Sequence, residues 1–87
     1  MYKLSYHKRT EKQKQHLKAA NLIKKARALV EVIEKDPYQT PPKFKQLEHD
    51  LKGFYSRRIN HQHRLIYTVD EDTKEVKIHS MCSHYEF

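Results

Sequence analysis

The spacing of apolar residues changes along the chain, and this change constrains the fold more than any other feature. Between residues 22 and 33, apolar side chains recur every three or four positions and form one face of a helix. Towards both ends of the chain they alternate with polar side chains, as in a strand with one buried face. The predicted strands are the N-terminal run 2–6 and three later runs, Phe54–Ile59, Arg64–Val69 and Glu75–Cys82.

Two predicted helices lie between the first strand and the others. Thr10 is the expected N-cap of a lysine-rich helix, and Asn21 is the expected N-cap of the second helix. Asp36-Pro37 ends the second helix, because the residue before a proline disfavours the helical conformation. The order β-α-α-β-β-β predicts an α+β domain in which two helices pack on one face of a small antiparallel sheet. A chain of 87 residues has room for one hydrophobic core, so residues 1–87 are expected to form a single domain.

The composition indicates a cytoplasmic protein with a polyanionic partner. No apolar run approaches the roughly 18 residues that span a membrane, and no apolar signal segment opens the chain. A single cysteine cannot form an internal disulfide. The net charge is +7, and the basic excess lies in residues 1–35, which favours binding to phosphate groups. A solvated helix face that only keeps the chain in solution is the alternative interpretation.

Alternation along the strands predicts where three arginines point. Side chains of one parity share a face, so Arg57 points to the core or lies at an edge, and Arg58 points away from the helices. Arg64 faces opposite to Leu65 and therefore joins Arg58 on the open face of the sheet. Because like charges side by side are destabilising in a sheet, their pairing suggests that an anion binds between them. Two arginines that extend separately into solvent are the alternative.

The connection 37–53 is long for so small a domain. Three prolines stiffen it and Gly53, the single glycine of the chain, closes it. Structured loops of this length more often contribute to function than serve only as connections.

Three segments together carry a resemblance to a known family. Tyr55-Ser56-Arg57-Arg58-Ile59-Asn60 is followed by His63-Arg64-Leu65-Ile66-Tyr67 and, near the C-terminus, by Ser83-His84-Tyr85. In this combination the chain resembles the YoeB/Txe toxins of the RelE/ParE superfamily, and the resemblance covers nearly the whole chain. It implies a RelE-like fold and a ribosome-dependent endoribonuclease that cleaves mRNA in the A site. It also implies a cognate YefM/Axe-like antitoxin that keeps the toxin inactive.

The resemblance implies metal-independent, cofactor-free chemistry, in which the 2′-hydroxyl of the RNA attacks the adjacent phosphorus and the 5′-oxygen leaves. Such a reaction needs a base, an acid and positive charge on the transition state. Arg64 corresponds to the main phosphate clamp and Arg58 to its partner. His84 corresponds to the general acid, and Tyr85 to a residue that orients the nucleotide. The expected RNA- or ribosome-binding residues are Lys12, Lys14, Lys18, Lys24, Lys25, Lys52 and Arg57.

The position of the general base departs from the family pattern. Better-known members have a glutamate where this chain has Lys45, and a lysine, with an ordinary pKa of about 10.4, is a poor base at neutral pH. Glu48 follows three residues later, and the pair Lys45/Glu48 resembles an exchange of charges across one helical turn. Glu48 is the first candidate for the base, and His49 is the second. In the third alternative Lys45 stabilises the phosphate, and the toxin is slow or attenuated.

Other functions compete with this interpretation. His61 and His63, with His79 on the neighbouring strand, are a weak candidate for a metal site, because no further ligand is suitably spaced. A ParE-like gyrase inhibitor would share the fold but lack the His-Tyr ending. A nucleic-acid-binding corepressor would act on operator DNA together with the antitoxin, and the lysine-rich helix would matter more than Arg64 or His84. The sequence is also compatible with a homodimer.

Overall fold

The structure is a computed structural model that describes residues 1–81, in which two helices pack on one five-stranded sheet. The elements in chain order are β1 (Lys3–Tyr6), α1 (Arg9–Ala19), α2 (Ile23–Lys35), β2 (Phe44–Gln46), a 3-10 turn (His49–Leu51), β3 (Phe54–Arg58), β4 (Arg64–Asp70) and β5 (Glu75–Ser80). The predicted α+β class, with both helices on one side of the sheet, is confirmed. No helix within residues 1–81 is long and apolar enough to span a membrane.

The sheet is mixed, although the sequence predicted an antiparallel one. Its strand order is β1-β5-β4-β3-β2, and β1 runs parallel to β5 while the other neighbours are antiparallel. Parallel pairing requires a long connection between the two strands, and here both helices and three strands separate β1 from β5. The sequence also missed β2, which lies inside the predicted connection 37–53 and pairs with β3 at the edge of the sheet.

The core lies between the helices and one face of the sheet, as the apolar spacing predicted. The side chains of Leu17 on α1 and Ile33 on α2 are fully buried against Leu65, Tyr67 and Ile78. Ile59 is also buried and Val69 packs against this cluster, so the predicted parity of β3 and β4 is correct.

Both predicted helix caps are wrong. Helix α1 begins one residue before Thr10, whose buried hydroxyl donates a hydrogen bond of 2.7 Å to the carbonyl of His7. Asn21 has a φ of 60° and lies before the N-cap Leu22. Asparagine tolerates this left-handed conformation better than most residues, so Asn21 serves the turn between the helices and does not cap α2.

A carboxylate ties three distant segments together at one end of the sheet. Glu71, in the turn between β4 and β5, accepts hydrogen bonds from the hydroxyls of Tyr2 (2.9 Å) and Tyr38 (2.7 Å). The ammonium of Lys74 donates a third bond of 2.9 Å. These three bonds lower the pKa of Glu71 to about 2. The bond from Lys74 has the largest effect, followed by those from Tyr38 and Tyr2.

Candidate functional site

Arg58 and Arg64 meet on the face of the sheet that the helices leave open. They are direct cross-strand partners in the antiparallel pair of β3 and β4, and directly opposite residues project to the same face with Cβ atoms about 5 Å apart. Arg58 is exposed and Arg64 is half-buried. The convergence inferred from strand parity is therefore present in the structure.

Lys45 adds a third positive charge to this face. It lies on β2 opposite Ser56 of β3, and Ser56 shares the parity of Arg58, so the three side chains lie on one face. Around them is an open pocket of about 480 Å³, lined by Pro42, Lys43, Phe44, Lys45, Ser56, Arg58 and Arg64. No acidic residue of the described chain lines this pocket. Guanidinium and ammonium groups without a lining carboxylate are suited to binding a phosphate group.

Arg57 has a different position from its neighbour Arg58. Its side chain is fully buried, which contradicts its predicted contact with RNA and agrees with the core-facing alternative. The guanidinium donates hydrogen bonds to the carbonyls of Pro37 (3.0 Å), Gln39 (2.9 Å) and Pro42 (2.7 Å). It also donates a 3.1 Å bond to the hydroxyl of Tyr67.

These bonds attach the segment 37–42 to the sheet. Tyr67 strengthens the attachment, because its hydroxyl donates a 2.7 Å bond to the carbonyl of Pro37. The guanidinium of Arg57 also lies 5.0 Å from the ring centre of Phe44, within the range of a cation–π contact. One wall of the pocket is formed by Pro42, Phe44 and Lys45. Because Arg57 contacts Pro42 and Phe44 from the core side of the sheet, it holds that wall in position.

Lys45, Glu48 and His49 do not lie on a common helical turn. Lys45 belongs to the strand β2, while Glu48 precedes the 3-10 turn that begins at His49. All three residues are exposed, but among them Lys45 alone lines the pocket. The predicted arrangement across one turn is therefore wrong, because the extended backbone of β2 turns alternate side chains to opposite faces.

His84 and Tyr85, together with Cys82 at the end of the last predicted strand, lie outside the described residues. The described chain ends at the buried Met81, whose backbone N–H donates a 2.7 Å bond to the side-chain oxygen of Gln13. The amide nitrogen of Gln13 donates to the hydroxyl of Ser80 (3.2 Å). Ser80 pairs with Ile66, two residues from Arg64, so α1 fixes the end of β5 close to the strand that carries Arg64.

Within the part of the chain that the structure describes, the histidine candidates do not form a metal site. Within residues 1–81 no group of three histidine, cysteine, aspartate or glutamate side chains is placed to hold a metal ion. His63 contacts the side-chain oxygen of Asn60 through Nδ1 at 3.1 Å. His79 contacts the hydroxyl of Thr68 at 2.9 Å, and burial, followed by the charge of Lys77, lowers its pKa to about 4.

The basic residues predicted to contact RNA or the ribosome are otherwise at the surface. Exposed side chains are found at Lys12, Lys14, Lys18, Lys24, Lys25 and Lys52. Lys25 lines a groove of about 270 Å³ that shares Pro42 and Arg58 with the pocket around Lys45 and Arg64. Sequence reasoning missed Ser56 and Lys43 as lining residues. The parity of β3 would have indicated Ser56, which lies two residues before Arg58.

The amino-acid sequence is similar to those of known toxins. It is 37% identical over 65 residues to the toxin YoeB of Synechocystis, and this match covers 75% of this chain and 73% of that one. It is 38% identical over 52 residues to the toxin YoeB of Escherichia coli K12, a match that covers 60% of this chain and 62% of that one.

Solved structures agree with these sequence matches. The structure is similar to that of YoeB from Staphylococcus aureus, solved in a YoeB-YefM complex, with a TM-score of 0.79 and 32% identity over 98% of this chain and 99% of that one. An archaeal RelE from Pyrococcus horikoshii, at 23% identity over 99% and 98% of the two chains and a TM-score of 0.77, shares the fold. A family profile described as the YoeB-like toxin of bacterial type II toxin-antitoxin systems matches residues 5–85. The chain therefore belongs to the family of YoeB-like toxins of type II toxin-antitoxin systems.

Proposed function

We propose that this toxin is an endoribonuclease that cleaves mRNA in the A site of the ribosome and thereby inhibits translation. The observation that carries the proposal is the pocket on the open face of the sheet, where Lys45, Arg58 and Arg64 surround a space that no carboxylate of residues 1–81 lines. A phosphodiester bound there would be surrounded by four cations, because Lys43 also lines the pocket. Positive charge placed in advance around the reacting phosphate is the main requirement for stabilising its transition state.

In this proposal the arginines hold the scissile phosphate and metal-independent acid–base chemistry breaks the RNA. The 2′-hydroxyl loses its proton to solvent water and attacks phosphorus to form a 2′,3′-cyclic phosphate, and the bond to the 5′-oxygen breaks as that oxygen takes up a proton. Arg64 and Arg58 donate paired hydrogen bonds to the non-bridging oxygens. His84 supplies the proton to the leaving oxygen, and Tyr85 orients the nucleotide. The family match extends to residue 85 and includes both.

For Lys45 we propose electrostatic stabilisation of the phosphate, the third of the alternatives left open by the sequence. Its position on the wall of the pocket, from which Glu48 and His49 are absent, supports this role. A base at Glu48 would act from outside the pocket. The expected consequence is that Lys45→Ala lowers cleavage about 100- to 1,000-fold, the range found when one preorganised donor is removed, whereas Glu48→Gln lowers it less than threefold.

The partners follow from the same proposal. YoeB of Staphylococcus aureus has been solved with YefM and also as a dimer, which supports a YefM/Axe-like antitoxin and a homodimer for this chain. The exposed lysines of α1 and α2 are proposed to contact the 16S rRNA phosphates. Binding to ribosomes should then weaken steeply with salt, and an affinity unchanged between low and moderate salt would exclude this role. Operator DNA is proposed as a partner only of the toxin–antitoxin complex.

The experiment is a reconstituted translation reaction in which a defined mRNA is incubated with the toxin, with and without ribosomes. Wild type is expected to cut the mRNA only with ribosomes, and Arg64→Ala and His84→Ala are expected to abolish the cut. Arg27→Ala is the matched control, since Arg27 is exposed on α2 and does not line the phosphate pocket. Cleavage by Arg64→Ala at the wild-type rate would contradict the proposal. Intact mRNA with wild type, combined with gyrase inhibition or operator binding, would favour the ParE-like or corepressor alternatives.

A further inference from the structure

We propose that the hydroxyl of Ser56 forms a hydrogen bond with the phosphate group bound in the pocket. Ser56 is 1% exposed, and its Oγ is a buried polar atom without a hydrogen-bond partner. No other buried side-chain nitrogen or oxygen in the described part of the chain lacks a partner. This inference rests on the proposed function, because it assigns a further contact to the same RNA phosphate.

An unpartnered hydroxyl is costly in this position. Burying such a group without a hydrogen bond loses its hydration without compensation, and an alanine would fit the same strand without that loss. Buried polar atoms in native proteins nearly always have a partner, so an exception requires a functional or solvent explanation. The lost hydration of Ser56 is recovered if a ligand supplies the missing acceptor.

The location of Ser56 identifies the ligand. It lies opposite Lys45 on β2 and two residues before Arg58 on β3, and it lines the pocket together with Arg64. These cations favour an anionic acceptor, and a phosphate oxygen suits their charge. The buried hydroxyl of Ser56 would thus donate a hydrogen bond to the phosphate from the base of the pocket, while the cationic side chains contact the phosphate around its rim.

The hydroxyl is covered in the structure, so binding requires a small rearrangement. The side chains of Lys45 and Arg58 are both exposed and long, and such chains change rotamer on the picosecond to nanosecond timescale. A neutral donor at the base of the pocket fixes the orientation of the phosphate without adding charge, which distinguishes the role of Ser56 from that of the arginines.

The test combines two measurements on Ser56→Ala. Titration with inorganic phosphate at constant ionic strength, followed by amide NMR shifts, gives the affinity, and thermal unfolding gives the stability. The loss of one hydrogen bond to a charged group should weaken phosphate binding about 10- to 150-fold. The melting temperature should stay unchanged or rise, because the variant removes an unpartnered group. Ribosome-dependent mRNA cleavage should fall by a similar factor.

Thr10→Val is the matched control, since it removes a buried hydroxyl that has a partner, the carbonyl of His7 at 2.7 Å. We expect it to lower the melting temperature and leave phosphate affinity unchanged. Wild-type phosphate affinity in Ser56→Ala would overturn the inference. So would a loss of stability in Ser56→Ala as large as that in Thr10→Val, which would mean that Ser56 has a structural partner. If phosphate binding depends on Ser56 but wild type leaves ribosomal mRNA intact, the anion contact stands and the proposed function fails.

Discussion

Replacing Arg57 by alanine should destabilise the domain far more than replacing the adjacent Arg58. The guanidinium of Arg57 makes four hydrogen bonds, to three backbone carbonyls and to the hydroxyl of Tyr67. Hydrogen bonds that involve a charged group contribute about 1.5–3 kcal/mol each, so four bonds set an upper limit of roughly 6–12 kcal/mol.

The expected loss is smaller than this limit for two structural reasons. The carbonyls of Gln39 and Pro42 belong to exposed and half-buried residues, so water can replace the donor there, and Tyr67 still donates to Pro37. Removing a buried guanidinium also removes its desolvation cost. We therefore expect Arg57→Ala to lower the free energy of unfolding by about 3 kcal/mol, a large share of the roughly 5–15 kcal/mol typical of a domain.

Urea unfolding at pH 7, followed by circular dichroism, measures this difference. Arg58→Ala is the matched control, because Arg58 is exposed and faces the like charge of Arg64, and its replacement should change stability by less than about 0.5 kcal/mol. In Arg57→Ala, hydrogen exchange should also accelerate in the segment 37–42. A loss below 1 kcal/mol in Arg57→Ala, or equal losses in the two variants, would refute the reasoning.

Two further predictions concern the ends of the sheet. Because Glu71 has a lowered pKa of about 2, its contribution to stability is complete above its ordinary pKa near 4.5 and is lost as the pH falls towards 2. The difference in the free energy of unfolding between wild type and Glu71→Gln should therefore shrink over that pH range. A difference that does not depend on pH would contradict the assignment. Gln13→Ala removes the bonds to Ser80 and Met81 and should reduce mRNA cleavage at least tenfold, since small misplacements of reacting groups have effects of about this size. The same variant should leave phosphate binding within about twofold of wild type, because Gln13 lies outside the pocket, and unimpaired cleavage would refute the positioning role.

Helix α2 and the three long strands could be predicted from the sequence because each of them carries its own apolar period, whereas α1 is lysine-rich and buries Leu17 as its one large apolar side chain. The parity of β3 and β4 then placed Arg58 and Arg64 on one face without knowledge of the tertiary structure. The alternation of apolar and polar residues could not reveal β2, because this edge strand has only three residues, Phe44, Lys45 and Gln46. It forms because the edge of β3 supplies hydrogen-bonding partners. The parallel pairing of β1 with β5 was missed for the same reason, since a strand's sequence does not specify its distant neighbour.

Two site predictions show where local reasoning failed. Arg57 is an expected RNA-binding residue in the sequence, although strand parity points it to the core or to an edge, and in the structure the carbonyls of the segment 37–42 accept its hydrogen bonds inside the domain. Lys45 and Glu48 were placed on a helical turn because their spacing of three suits one. The extended backbone of β2 instead places Lys45 on the wall of the pocket and leaves Glu48 outside. Both errors arise from tertiary contacts that a single sequence does not display.

The most direct test of the central claim is to map the 5′ ends of mRNA fragments after incubation of the toxin with ribosomes stalled at a defined codon. Wild type should produce a new end within the A-site codon, and this end should be absent without ribosomes and absent with Arg64→Ala. Fragments that appear equally without ribosomes, or an undiminished A-site cut by Arg64→Ala, would contradict the claim that the cationic pocket on the open face performs ribosome-dependent cleavage.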